Sequence, residues 1–348
     1  MMPADANRRD MSVPAASLPV GSRLGEFEIR AVLGVGKFSM VYKAYDRHLD
    51  RYVALKEYFP ANIAQRAGRL RLEVSSANSE RFADGLKRFF AEAHVMSRFQ
   101  HPVLRSALRL LECNGTAYIA MPYYPGQTLR EMVSAGYRAQ TWEDLFSTLL
   151  PILSGLSQIH REHLCHMNVS PDNILIQSNS TPLLLDFGDV RRFGENVEEA
   201  LPTDSFTPGF AAKEQYEDNK RTGPWTDIYG ISAVAYYMVT GIVPIISISR
   251  GTGDALTPLT VFATPNLPAD VLGVIDEGLA VHPQNRIGSI EIFAKLLEEA
   301  THMATLNSGV NDDSKAVAIN SALTDLPPEQ RKVIRYASWL RDQFRGFL

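Results

Sequence analysis

The spacing of apolar positions changes along this chain from a period of two to a period near 3.6, close to residue 86. Ahead of that point "FEIRAVLG" (27–34), "SMVYKAYD" (39–46) and "RYVALKEY" (51–58) alternate apolar and polar residues, which predicts three β-strands, the first two joined across a glycine turn. Residues 57–85 hold Pro60, Gly68 and Gly85 between short apolar stretches and read as an irregular insertion, with a small hairpin at "RLRLEV". Leu86, Phe89, Phe90, Ala93 and Met96 then fall on one stripe of a helix that Pro102 ends. "LRLLEC", Asn114-Gly115 and "TAYIAMPYY" predict a hairpin with an Asn-Gly turn.

Pro125-Gly126 marks a boundary. Beyond it the pattern predicts helices over 127–134, 142–163, 226–240 and 267–280, with short strands at "ILI" and "LLL". A strand-rich front and a helix-rich back predict an α+β protein of two lobes. Residues 1–24 read as a disordered leader, 25–124 and 125–302 as the two lobes, 303–326 as a linker. In 327–348, Pro327-Pro328 start a helix with the stripe Val333, Ala337, Leu340 and Phe344 opposite a basic face of Arg331, Lys332, Arg335, Arg341 and Arg345. Docking on the domain, contact with a partner protein, and membrane-surface binding through that tryptophan-bearing basic face stay open; a single short helix argues against the last.

Composition narrows the classes. The formal net charge of -4 gives no field that would draw nucleic acid. Cys113 and Cys165, the two cysteines, are too few for a disulfide framework and point to a reducing cytoplasm. No apolar run approaches the ~20 residues of a bilayer span. "ISAVAYYMV" (231–239) reads as a buried helix, and the N-terminus lacks an apolar signal core.

The chemical signals are weak one at a time. The glycines of "LGVGKFS", Gly34 and Gly36, let backbone amides approach phosphate oxygens, yet taken alone a tight hairpin accounts for them better. Lys56 closes the apolar run "VALK", and Glu92 interrupts the apolar helix "FFAEAHVM", where a carboxylate is costly without a cation such as Lys56. Their order is more specific: a glycine loop, a strand lysine, a helical glutamate, "HMNVSPDN", then "DFG". In that order the chain resembles the protein kinase family, over roughly residues 25–302 and in the style of bacterial Ser/Thr kinases.

The resemblance implies ATP and Mg²⁺ as ligands. Gly34 and Gly36 would cover the phosphates, and Lys56, held by Glu92, would reach the α- and β-phosphates. Asp186 and Asn173 would bind the metal. Val41, Ala54 and Leu175 would enclose the adenine, with Met121 as gatekeeper and Pro122 and Tyr124 supplying backbone groups. Glu214 would pair with Arg286, and Asp227 would brace the catalytic loop. A regulated or partner protein would complete the picture.

Three chemical positions of the catalytic loop depart from the family pattern. Asn168 stands where the proton-accepting aspartate belongs, and an amide cannot take that proton. Ser170 replaces a lysine that meets the γ-phosphate, and Met167 replaces an arginine that binds a phosphorylated activation loop. Thr203, Ser205 and Thr207 lie in that segment, with Arg191 and Arg192 as substitute partners. The nucleotide-binding positions are retained and the acceptor-facing ones are lost. The expectation is an ATP/Mg²⁺-binding pseudokinase acting as switch or scaffold. The alternatives are a slow Ser/Thr kinase drawing its base from Asp172 or Asp189, or the fold reused for a transfer such as adenylylation.

Overall fold

The structure, a computed structural model, describes residues 16–193, 206–217, 221–251 and 254–307. The helix expected over 327–348 and its basic face, most of the expected linker, the first fifteen residues of the expected leader, and Thr203 and Ser205 lie outside these residues. The chain has a strand-rich and a helical part and divides into two compact units.

The first unit runs to Arg98 and resumes over Ser106–Tyr123. Its core is a six-stranded antiparallel sheet of β1 (Arg23–Leu24), β2 (Phe27–Val35), β3 (Ser39–Asp46), β4 (Arg51–Tyr58), β7 (Arg109–Cys113) and β8 (Thr116–Pro122), in the order β1-β2-β3-β4-β8-β7. Burial alternates residue by residue along β3, as its sequence pattern requires. β8 is buried from Thr116 to Met121. Asn114 (φ 55°) and Gly115 (φ 77°) both take left-handed backbone between β7 and β8, the conformation an Asn-Gly hairpin turn demands. A second hairpin joins β5 (Ala64–Ala67) to β6 (Arg71–Val74); the small hairpin expected at "RLRLEV" thus begins five residues earlier, at Ala64.

Helix α1 (Ser79–Arg98) starts seven residues before its expected stripe and buries Phe82, Phe89, Glu92, Ala93 and Met96. Gly85, read from sequence as a loop residue, is inside this helix. A Cβ there would lie 1.9 Å from the Tyr58 hydroxyl oxygen, so the ring of Tyr58 takes the space a side chain would need. That ring packs on Phe82 and Phe89 at centroid distances of 5.0 and 5.7 Å. The leader expectation is also corrected for residues 16–24: Leu18 and Leu24 are buried, and β1 pairs with β2.

The second unit comprises Phe99–Arg105 and the chain from Tyr124. Its strands are β9 (Gly126–Thr128), β10 (Leu164–Cys165), β11 (Ile174–Gln177), β12 (Pro182–Leu184) and β13 (Arg191–Arg192). They form a three-stranded sheet in the order β12-β11-β9 and a β10-β13 pair. Its helices are α2 (Leu129–Ser134), α3 (Trp142–Arg161), α4 (Pro224–Thr240), α5 (Ala269–Gly278) and α6 (Ile290–Asn307). Residues 127 and 128, expected as the start of a helix, belong to strand β9; Thr128 then caps α2, reciprocated by Glu131. Helix α4 is buried from Thr226 to Met238 and ends at Gly241 in left-handed backbone. α6 continues to Asn307, five residues into the expected linker. Among the described residues no helix is long and apolar enough to cross a membrane.

Candidate functional site

Strand register arranges the first unit's candidate residues. Val41 pairs with Lys56 and Ala54 with Met121, and alternation puts all four on one face of the sheet. Ala54 and Met121 are buried, and Val41 is half-buried. Lys56 Nζ donates to Glu92 Oε1 at 2.6 Å, with side-chain exposures of 12% and 5%. The cation that the buried helical carboxylate requires is therefore the strand lysine. Gly34 pairs with Val41 at the sheet end, and a Cβ at Gly34 would meet nothing within 4 Å. Gly36 N–H donates to Ser39 O at 2.7 Å and closes the loop. Pro122 pairs with Val53, so the strand tolerates its missing N–H at the sheet's end.

The second unit carries the loop between β10 and β11. Asp227, on α4, accepts from the backbone N–H groups of His166 and Met167 at 2.8 Å each and from His160 Nε2 at 2.8 Å. Burial works against the Asp227 charge, but the bond and charge of His160 and the loop amides hold its carboxyl below the usual range. Met167 takes φ 67°, strained for a side chain of its size, and Gln215 Nε2 pins its carbonyl at 2.7 Å. His166 is fully buried, and burial pushes its pKa down, so it is neutral: Nε2–H donates to Leu185 O at 3.1 Å.

Within this braced loop Asn173 Nδ2 donates to Asn168 O at 3.0 Å, which turns Asn173 Oδ1 away as an available oxygen ligand. Asn173 O accepts from Leu185 N at 2.8 Å, which ties Asn173 to the residue that precedes Asp186. Asp186 has φ 57°, and its Oδ1 accepts from Gly188 N at 3.3 Å. Oxygen donors of this kind suit a hard divalent cation such as Mg²⁺. Phe187 is buried between Phe99 and His166. Asn168 Nδ2 donates to Asp189 Oδ2 at 2.9 Å. Ser170, in the lysine position, is fully buried, and its hydroxyl has no hydrogen-bond partner among the described residues. Asp172 is held by Arg130 through Nη2 at 2.9 Å and Nε at 3.2 Å. Leu175 lies in β11 opposite Thr128 and Leu183, and Tyr124 is half-buried at the unit's start.

Glu214 and Arg286 form an ion pair at 2.8 Å, with side chains 2% and 0% exposed. A further buried trio, His160, Cys165 and Asp227, has ligand atoms within 4.8 Å of one another. Asp227 there is already engaged by hydrogen bonds, and burial pushes the Cys165 thiol up. Sequence reasoning missed His160, Gln215 and Arg130 as supports of the loop. Each joins it from another element, and no spacing signal links residues 42 or more positions apart.

Residues 27–297 match the model of a family described as "Protein kinase domain". The chain is 28% identical over 294 residues to the serine/threonine-protein kinase PknK of Mycobacterium tuberculosis (strain ATCC 25618 / H37Rv), covering 81% of this chain and 24% of that protein. It is equally identical, over 294 residues, to the serine/threonine-protein kinase PrkC of Bacillus subtilis (strain 168), covering 83% of this chain and 42% of the relative. The chain thus spans less than half the length of these two relatives. A solved structure titled "PpkA-294 apo form" is similar with a TM-score of 0.72 and 36% identity, covering 81% of this chain and all of the other.

Proposed function

The chain belongs to the protein kinase family, of the bacterial serine/threonine type, and we propose that it binds ATP with Mg²⁺ and uses the bound nucleotide to regulate or scaffold a partner protein, with phosphoryl transfer strongly suppressed. One contrast carries this reading. The Lys56–Glu92 pair is formed at 2.6 Å, while the side chain in the proton-acceptor position is an amide that donates its N–H to Asp189.

The residues fit the ligands. Lys56 supplies a positive charge for the α- and β-phosphates, and Glu92 holds its ammonium in place. Val41, Ala54, Met121 and Leu175 offer apolar surface to the purine, and the backbone at Pro122 and Tyr124 offers its hydrogen bonds. Gly34 and Gly36 allow backbone amides to reach phosphate oxygens. Asn173 and Asp186 would hold Mg²⁺, which neutralises charge on the β- and γ-phosphates. Asn168 can orient an acceptor hydroxyl through Oδ1 but cannot remove its proton. Loss of a positioned base lowers a rate by about 10²–10⁴. Ser170 adds to that loss, because no lysine cation stands at its position against the charge developing on the γ-phosphate.

Thermal shift with ATP, with and without Mg²⁺, tests the reading. At about 100-fold excess over Kd, ligand stabilises by ~2.7 kcal/mol. Absence of any shift overturns it. Radiolabelled ATP separates the alternatives: rapid transfer of γ-label identifies a competent kinase, and transfer of α-label identifies a nucleotidyl transferase. Either result removes the suppressed-transfer reading.

A further inference from the structure

We propose that Arg130 is a positioning residue for the Mg²⁺ that accompanies the nucleotide: from helix α2 it clamps the turn that presents Asn173. The inference rests on the nucleotide-binding reading above. The observation is a grip on two successive residues of the catalytic loop. Arg130 Nε donates to both oxygens of Asp172 at 3.2 Å and Nη2 donates to Oδ2 at 2.9 Å. The Arg130 backbone N–H donates to Pro171 O at 3.0 Å.

The Asp172 side chain is 49% exposed, and exposed ion pairs ordinarily contribute little, because ordering two long side chains costs entropy. Here the guanidinium is fixed before it meets the carboxylate. Its central carbon lies 4.9 Å from the ring centroids of Phe210 and of Tyr237, and both rings are buried. The backbone that carries Arg130 is fixed as well. Thr128 and Glu131 cap the start of α2, and Thr128 pairs with Leu175 of β11.

Pro171 and Asp172 are the residues between Ser170 and Asn173, and Asn173 N–H donates to Ser170 O at 3.0 Å to close the turn. Arg130 therefore holds the middle of the turn while that bond holds its ends. Asn173 Nδ2 is committed to Asn168 O, so Oδ1 is the atom offered to a cation. Groups that fix a metal ligand from behind raise the affinity of the site.

Charge by itself predicts the opposite effect. A guanidinium repels a nearby divalent cation, so its removal from an unchanged turn would strengthen metal binding. If Arg130 acts by positioning Asn173, its removal weakens metal binding. The sign of the change separates the two.

Thermal shift of the full chain with ATP is measured in EDTA and across a Mg²⁺ titration, for wild type, Arg130→Met, Arg130→Lys, Asp172→Asn and Arg130→Met with Asp172→Asn. The unliganded Tm of each variant reports its folding. Arg130→Met is expected to raise the Mg²⁺ concentration at half of the metal-dependent shift by about ten-fold, with the shift in EDTA unchanged. Arg130→Lys keeps the charge without the fork and is expected to fall between wild type and Arg130→Met. The double variant is expected to be no weaker than the weaker single one, since both remove the same clamp. An unchanged or lowered Mg²⁺ midpoint in Arg130→Met overturns the proposal, and so does an equal loss of shift with and without the metal. A wild-type chain without a metal-dependent ATP shift removes the Mg²⁺ reading and this inference together. A metal-dependent wild-type shift that Arg130→Met retains in full removes this inference alone.

Discussion

Arg66 grips Glu57 with two parallel hydrogen bonds, Nη1 to Oε1 at 2.8 Å and Nη2 to Oε2 at 2.7 Å, on the face of β4 opposite Lys56. The Tyr42 and Tyr118 hydroxyls donate to the same carboxylate at 2.7 and 2.9 Å. Arg66 also reaches the carbonyls of Ala16 and Leu70, so one guanidinium ties the N-terminal segment and the β5–β6 hairpin to the sheet. Glu57 is fully buried. Arg66→Met leaves that charge without its cation and is expected to destabilise by roughly 3–5 kcal/mol in urea unfolding. A loss below about 1 kcal/mol would mean the carboxylate finds water in the folded state.

Lys56→Met tests the phosphate-facing side. The variant is expected to fold and to lose the ATP-induced thermal shift, whereas Asn168→Ala keeps it. An undiminished shift in Lys56→Met would place the nucleotide elsewhere.

Gly85→Ala runs against ordinary helix propensity, which favours alanine by about 1 kcal/mol. Here the new Cβ would fall on the Tyr58 hydroxyl, so the substitution is expected to destabilise by about 1–3 kcal/mol. Tyr58→Phe removes the nearest atom, and the cost of Gly85→Ala in that background is expected to fall by about half. Additive effects in the double-mutant cycle would contradict the contact.

His101 gives a pH signature. Burial pushes its pKa down from 6.5 to about 4. The neutral ring accepts Val103 N–H at Nδ1 and bonds Ser154 Oγ through Nε2. Between these values the unfolded chain binds the proton that the folded chain refuses, so stability rises with pH across the window. The contribution is complete above about pH 6.5 and is lost as pH falls toward 4. Urea midpoints at pH 7, 5.5 and 4 should converge between wild type and His101→Gln as acidity increases.

Much of the scaffold was legible from local pattern. Strict alternation in 39–46, the Asn114-Gly115 turn and the largely apolar run of α4 each reflect a periodicity or a backbone requirement that neighbours in sequence express. Gly85 was misread because a glycine signals either freedom or a close approach, and only the position of Tyr58 distinguishes them. Residues 16–24 lack periodicity, so burial of Leu18 and pairing of β1 were invisible without the sheet they join.

The site divides in the same way. The identities and order of Gly34, Lys56, Glu92, Asn168, Asn173 and Asp186 were fixed by the sequence alone, as was the absence of a carboxylate at 168, because chemistry resides in residue type and spacing. Tertiary structure decided which charges meet: Lys56 with Glu92, Asp227 with the loop amides, Asp172 with Arg130 and Asp189 with Asn168. Coulombic and hydrogen-bond energies depend on distances of a few ångströms between residues 20 to 60 positions apart in the chain, and only folding sets those distances.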